Sequence, residues 1–128
     1  MQALVVDDSR ATREILADIL LEIGFNVLKA EHGLDGLRML RESGKIDVVL
    51  VDWIMPEMDG LCFIRAVRAD RAFDAVRLMM VTTQTEMPKV ASALDSGADE
   101  YVMKPVTREM IEEKLKLLGI AVPETFCQ

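Results

Sequence analysis

An α/β domain, with a parallel five-stranded sheet carrying helices on both faces, is the fold this chain predicts. Three observations predict it. Five short apolar runs rich in Val, Leu, Ile and Met recur along the 128 residues. Amphipathic stretches of helical period separate them. The connections are only a few residues long, as in compact α/β units. Strands that alternate with helices pair in parallel, because each helix carries the chain back across the sheet.

The first run, Ala3-Leu4-Val5-Val6, reads as a short buried strand that stops on Asp7-Asp8-Ser9. Ser9 is placed to cap the helix that follows. In that helix Ile15, Leu16, Ile19, Leu20 and Ile23 recur at helical spacing, and Gly24 supplies the stop. Phe25 to Ala30 make the second strand. His32-Gly33, with His32 expected to be exposed, turns into a helix carrying Leu34, Leu37 and Leu40, and Gly44 ends it.

Asp47 leads into Val48-Val49-Leu50-Val51. Three of these four apolar residues are β-branched, the habit of a central parallel strand buried on both faces. The run stops on Asp52. Met55-Pro56 and Asp59-Gly60 punctuate the loop beyond it, and Leu61, Ile64, Ala66 and Val67 mark the third helix. Leu78-Met79-Met80-Val81 is the fourth strand, ending in Thr82-Thr83. A helix is expected from about Glu86 to Ser96, with Pro88 tolerated in its first turn and Gly97 closing it. Glu100-Tyr101-Val102-Met103 is the fifth strand. Lys104-Pro105 follows, then a last helix with Ile111, Leu115 and Leu118 on one face. No linker, repeat or low-complexity segment is visible. One domain is expected over 1–119, with 120–128 a short tail that Pro123 keeps non-helical, and no output domain after it.

A hydrophobic fraction of 51% with 29% charged residues is that of a soluble globular protein. No window approaches the ~18 uninterrupted apolar residues of a membrane span. The first strand begins too early to leave room for a signal peptide, so a cytoplasmic protein is expected, without a membrane partner. Cys62 and Cys127 have no metal spacing and cannot build a disulfide framework, which fits reduced thiols. A net charge of −7 argues against a nucleic-acid partner, since phosphate backbones are bound by clustered Lys and Arg.

The strand ends carry the chemistry. The first strand delivers Asp7 and Asp8, the third Asp52, the fourth Thr82 and the fifth Lys104. In a parallel sheet all of them reach one edge, where open α/β sheets hold their ligands. Carboxylates about 4 Å apart repel by on the order of 1 kcal/mol in water and several times that in a shielded site. Lys104 supplies one counter-charge and a divalent cation would supply the rest. An all-oxygen set without His or Cys suits Mg²⁺ (or Mn²⁺) better than zinc. A hydroxyl and an ammonium beside it suit phosphoryl oxygens, with Asp52 as the nucleophile that becomes an acyl phosphate.

These residues carry a resemblance. Val5-Val6-Asp7-Asp8-Ser9-Arg10, Val51-Asp52-Trp53-Ile54-Met55-Pro56-Glu57-Met58-Asp59-Gly60, Val81-Thr82, and Gly97-Ala98-Asp99-Glu100-Tyr101-Val102-Met103-Lys104-Pro105 stand in the order and spacing of a response regulator receiver domain. The chain most resembles the single-domain chemotaxis type, over about residues 2 to 118. That resemblance implies a flavodoxin-like doubly wound (βα)5 fold with strand order 2-1-3-4-5. It implies Asp52 as phosphoacceptor, with Asp8 and Asp52 ligating Mg²⁺ by carboxylates, Asp7 mostly through water and Ile54 by its backbone carbonyl. It also implies Lys104 and Thr82 as partners of the phosphoryl group, a Lys104–Pro105 bond that is often cis, and Tyr101 as an aromatic switch coupled to Thr82. The implied partners are a sensor histidine kinase or histidine phosphotransfer protein, which donates the phosphoryl group, and a downstream protein effector, with the chain a monomer or weak dimer. The protein is then a signalling phosphoacceptor rather than an enzyme acting on other substrates.

Two positions are this chain's own. Ile54 and Gln84 each stand two residues after a site residue and flank the route by which water attacks the acyl phosphate in the family. Ile54 offers that water no hydrogen bond, whereas Gln84 can, so both are expected to tune the phosphorylated lifetime. Three other classes stay open on the residues alone. A metal-dependent phosphatase would want a second acid where Ile54 stands. A nucleotide-binding module would want a glycine-rich first loop instead of Asp7-Asp8-Ser9-Arg10. A phosphorylation-independent adaptor would have no use for the full acidic set with Lys104.

Overall fold

Strand and helix alternate through the residues that the structure, a computed structural model, describes: 1–53, 58–83 and 89–120. In chain order they are β1 (Gln2–Val6), α1 (Arg10–Ile23), β2 (Asn26–Ala30), α2 (Gly33–Glu42), β3 (Val48–Asp52) and α3 (Gly60–Ala69). A 3₁₀ turn (Arg71–Phe73) follows, then β4 (Arg77–Thr82), α4 (Val90–Asp95), β5 (Glu100–Met103) and α5 (Arg108–Leu117). The five strands form one sheet in the order β2-β1-β3-β4-β5, every neighbour parallel. This is the flavodoxin-like doubly wound fold expected. Sequence order reverses between β1 and β3, and that reversal opens a crevice at the strands' carboxyl ends.

Period-two alternation divides the core between two faces of the sheet. Leu4, Val6, Val49, Val51, Leu78 and Met80 pack beneath α2 and α3, where Leu37, Leu40, Phe63, Ile64 and Val67 are buried. Ala3, Val5, Val48, Leu50, Met79 and Val81 pack beneath α1 and α5, against Leu16, Leu20, Ile23, Ile111 and Leu115. All five residues of β3 are buried, as its position at the centre of a covered sheet requires. Each buried Val, Leu, Ile, Met or Phe side chain in these layers contributes about 1.5–3 kcal/mol of transfer free energy. Among the described residues no helix is long and apolar enough to cross a membrane.

The helix ends follow the chemistry of the sequence. Ser9 Oγ accepts from the Thr12 N–H at 3.4 Å, Asp59 Oδ1 from the Cys62 N–H at 2.9 Å, and Thr107 Oγ1 from the Met110 N–H at 3.3 Å. Gly24, at φ +120°, closes α1 by donating to Leu20 and Leu21.

Some expectations fail. Ile15 and Leu34 are 55% and 51% exposed, not core. Ile15 lies about 100° around the helix from Leu16, and the buried stripe of α1 runs through Leu16, Ala17, Leu20 and Ile23. His32 is half-buried rather than exposed, because its Nδ1 accepts from the Asp35 N–H at 3.2 Å and caps α2. The 3₁₀ turn was not expected. It forms where Asp70 Oδ1 accepts from the Ala72 N–H at 3.0 Å. The start expected for the fourth helix falls in 84–88, and the tail in 121–128, both outside the described residues.

Candidate functional site

Parallel register brings the strand ends together. Val6 lies opposite Val51, Asp52 opposite Val81, and Thr82 opposite Met103. Asp7 and Asp8 therefore leave the sheet beside Asp52, and Lys104 leaves it two strands away.

One oxygen from each of Asp7, Asp8 and Asp52 lies within 4.8 Å of the others. Asp7 is fully buried, Asp52 is 7% exposed, and Asp8 faces solvent. The Lys104 Nζ donates to Asp52 Oδ1 at 3.2 Å. It is the only ion pair that the three acids make among the described residues. The Lys104 main chain is fixed by its N–H, which donates to the Thr82 carbonyl at 2.7 Å, and the Lys104–Pro105 bond is cis.

Electrostatics follow from this crowding. Burial pushes the Asp52 carboxyl up to about 6, the negative charge of Asp7 pushes the same way, and Lys104 pulls it partly back. Burial also raises Asp7, against the Ser9 N–H that donates to its Oδ1 at 2.8 Å. The other oxygen, Asp7 Oδ2, is buried with no hydrogen-bond partner among the described residues. An acceptor in that position carries a desolvation penalty of about 1–3 kcal/mol or more unless something binds it. Three carboxylates against one ammonium leave negative charge uncompensated in a shielded place. The orphaned oxygen, the excess charge and a donor set made only of carboxylate oxygens all fit Mg²⁺ or Mn²⁺.

Thr82 is buried at the end of β4, its Oγ1 donating to the Thr83 carbonyl at 3.3 Å. Tyr101 sits apart from the acids, on the edge strand and half-buried. The Lys114 Nζ lies 4.7 Å above its ring and donates to Glu100 Oε1 at 2.9 Å. A groove of about 280 Å³ runs between this ring and α5, past Met103 and Met110. Ile54 and Gln84 lie outside the described residues.

Two contributors were not legible beforehand. At Gly60 a Cβ would stand 2.8 Å from the Asp52 carbonyl and 2.8 Å from Met80 Cε, so only glycine lets α3 start so near Asp52. Arg13, one turn into α1, turns back so that its Nη1 donates to the Asp7 carbonyl at 2.8 Å. A basic residue four positions after the helix cap was the only signal, and it is a weak one.

Comparison with known proteins agrees with this geometry. The family model for the response regulator receiver domain matches residues 3–116. Chemotaxis protein CheY1 of Helicobacter pylori is 39% identical over 119 residues, 92% of this chain and 96% of that one. A CheY homologue of Campylobacter jejuni is 38% identical over 117 residues, 91% and 90% of the two chains. Among solved structures, Vibrio cholerae chemotaxis protein CheY4 superposes with a TM-score of 0.84 at 29% identity, covering 91% of this chain and 97% of that one. A probable two-component system response regulator/GGDEF domain protein gives a TM-score of 0.87 at 27% identity, over 93% of this chain. The match spans about half of that longer protein, 49%.

Proposed function

The chain belongs to the response regulator receiver domain family, and from that premise we propose that Asp52 accepts a phosphoryl group from a phosphohistidine. The donor is a sensor histidine kinase or a histidine phosphotransfer protein. The observation that carries this reading is a buried carboxylate, contacted by Lys104 at 3.2 Å, beside two further acids and an orphaned oxygen.

The transfer balances simply. An Asp52 oxygen attacks phosphorus, the P–O bond forms as the P–N bond breaks, and the departing imidazole takes a proton from water. The Lys104 ammonium neutralises charge on the transferring oxygens from where it already stands. The Thr82 hydroxyl exchanges its long contact with the Thr83 carbonyl for a phosphoryl oxygen. Asp7, Asp8 and Asp52, with the Ile54 carbonyl, would hold Mg²⁺ or Mn²⁺, which when bound supplies positive charge against the phosphoryl oxygens. An apolar groove formed by Thr12, Ile15, Leu16, Lys104, Pro105 and Val106 adjoins the site. The exposed Ile15 gives an approaching donor an apolar contact.

Movement of Thr82 toward the phosphoryl group leaves room for the Tyr101 ring, which then alters the face made by β5 and α5 for a protein effector. Hydrolysis by water ends the signal, at a rate set by Ile54 and Gln84. Ile54→Asn is expected to speed dephosphorylation and Gln84→Ala to slow it. Unchanged decay in both variants rejects that assignment.

Incubation with acetyl phosphate, followed by intact-mass measurement, tests the function. One phosphoryl group is expected with Mg²⁺, none with EDTA, and none for Asp52→Asn. An unchanged mass with both acetyl phosphate and a phosphorylated histidine kinase would overturn the reading, as would steady turnover of phosphomonoesters.

A further inference from the structure

We propose that Arg13 is a positioning residue for the cation site, gripping the main chain of Asp7 so that Asp7 and Asp8 stand where a divalent ion joins them to Asp52. This rests on the phosphoacceptor reading and adds a residue to it. The β1 ladder ends at Val6, whose partners are Ala30 and Val51. One residue further, Asp7 still donates its N–H to the Ala30 carbonyl at 3.1 Å. Its own carbonyl is past the end of the ladder, in a buried place where an unpaired C=O is costly. The Arg13 Nη1 fills that gap at 2.8 Å, from a side chain only 11% exposed.

With the Asp7 N–H on Ala30, its carbonyl on Arg13 and its Oδ1 on the Ser9 N–H, only Oδ2 lacks a partner among the described residues. Three fixed contacts therefore determine where the orphaned oxygen stands. The guanidinium's other contact, to the exposed Glu31 at 3.9 Å, is too long and too wet to matter much. Removing Arg13 frees the Asp7–Asp8 peptide to rotate, which moves both carboxylates relative to Asp52. Residues that orient metal ligands in this way typically change affinity by about 10–100-fold.

Titration with Mg²⁺ alone, by calorimetry well below the melting temperature, tests the role. Arg13→Ala is expected to weaken binding by about tenfold, the lower end for an orienting residue. Arg13→Lys, which keeps one donor of similar reach, is expected to recover most of that loss. Arg68→Ala is the control, because Arg68 is another partly buried arginine, bonded more fully than Arg13 and away from the acids, donating to Gly97, Phe73, Val76 and Asp99. Losing Arg68 is expected to lower the melting temperature and leave Mg²⁺ affinity unchanged. Equal Mg²⁺ affinity in the wild type and Arg13→Ala overturns the proposal, as does an equal loss in Arg68→Ala. Should Arg13→Ala not fold, Arg13→Gln carries the same comparison. A wild type that takes up no Mg²⁺ overturns the cation site itself, a result distinct from equal binding by both proteins.

Discussion

Asp52 is a carboxylate held where ionisation is unfavourable, and that has a consequence for stability. Its folded value, about 6, lies above the ordinary 3.8. The native state therefore binds this proton more tightly than the unfolded chain does. The resulting stabilisation is full below about 3.8 and is lost as pH rises through 6. At pH 7 the ionised acid costs the metal-free fold on the order of 2–3 kcal/mol. Asp52→Asn is therefore expected to melt several degrees higher than the wild type at pH 7 in EDTA, with the gap closing near pH 4. Thermal unfolding by circular dichroism at the two pH values checks this. A variant no more stable at pH 7 would mean the carboxylate is not under electrostatic stress. The acids and Lys104 were legible in the sequence because a charge that ends an apolar strand has to be compensated. Arg13 and Gly60 were not, because their roles depend on distances between elements that no local pattern encodes.

Elements carry the next level of constraint. The start of α3 is pressed against the end of β3: the Gly60 N–H donates to the Trp53 carbonyl at 2.9 Å, with no room for a Cβ. Gly60→Ala is expected to push this turn outward, costing about 1–3 kcal/mol of stability as overpacked sites do. It should also slow acetyl phosphate labelling of Asp52, measured beside the denaturation midpoint. A variant unchanged in both would show that the contact is slack. The strands were readable element by element, β3 most of all, since an unbroken β-branched run has few alternatives to a covered central strand. The buried faces of the helices were less so. Spacing of three and four residues allowed Ile15 and Leu34 into the stripes of α1 and α2, yet both face outward. A small protein leaves many apolar side chains on its surface, so periodicity overstates the core. His32 was misread for a different reason: its ring serves the helix end as an acceptor, a role not apparent from its residue type.

For the whole molecule, topology makes the site. The order β2-β1-β3-β4-β5, with all strands parallel, brings residues as far apart in sequence as Asp7, Asp52 and Lys104 to one edge. Alternation of strand and helix made the parallel sheet legible, whereas strand order came only with the family resemblance, because apolar runs do not say which neighbours they choose. The central claim is that this convergence makes Asp52, and neither neighbouring acid, the phosphoacceptor. The most direct measurement is borohydride reduction after acetyl phosphate labelling with Mg²⁺, followed by peptide mapping. An aspartyl phosphate at the acceptor is reduced at its acyl carbon, so the account predicts the modified residue at position 52 alone. Modification at Asp7 or Asp8, or labelling that persists in Asp52→Asn, would contradict it.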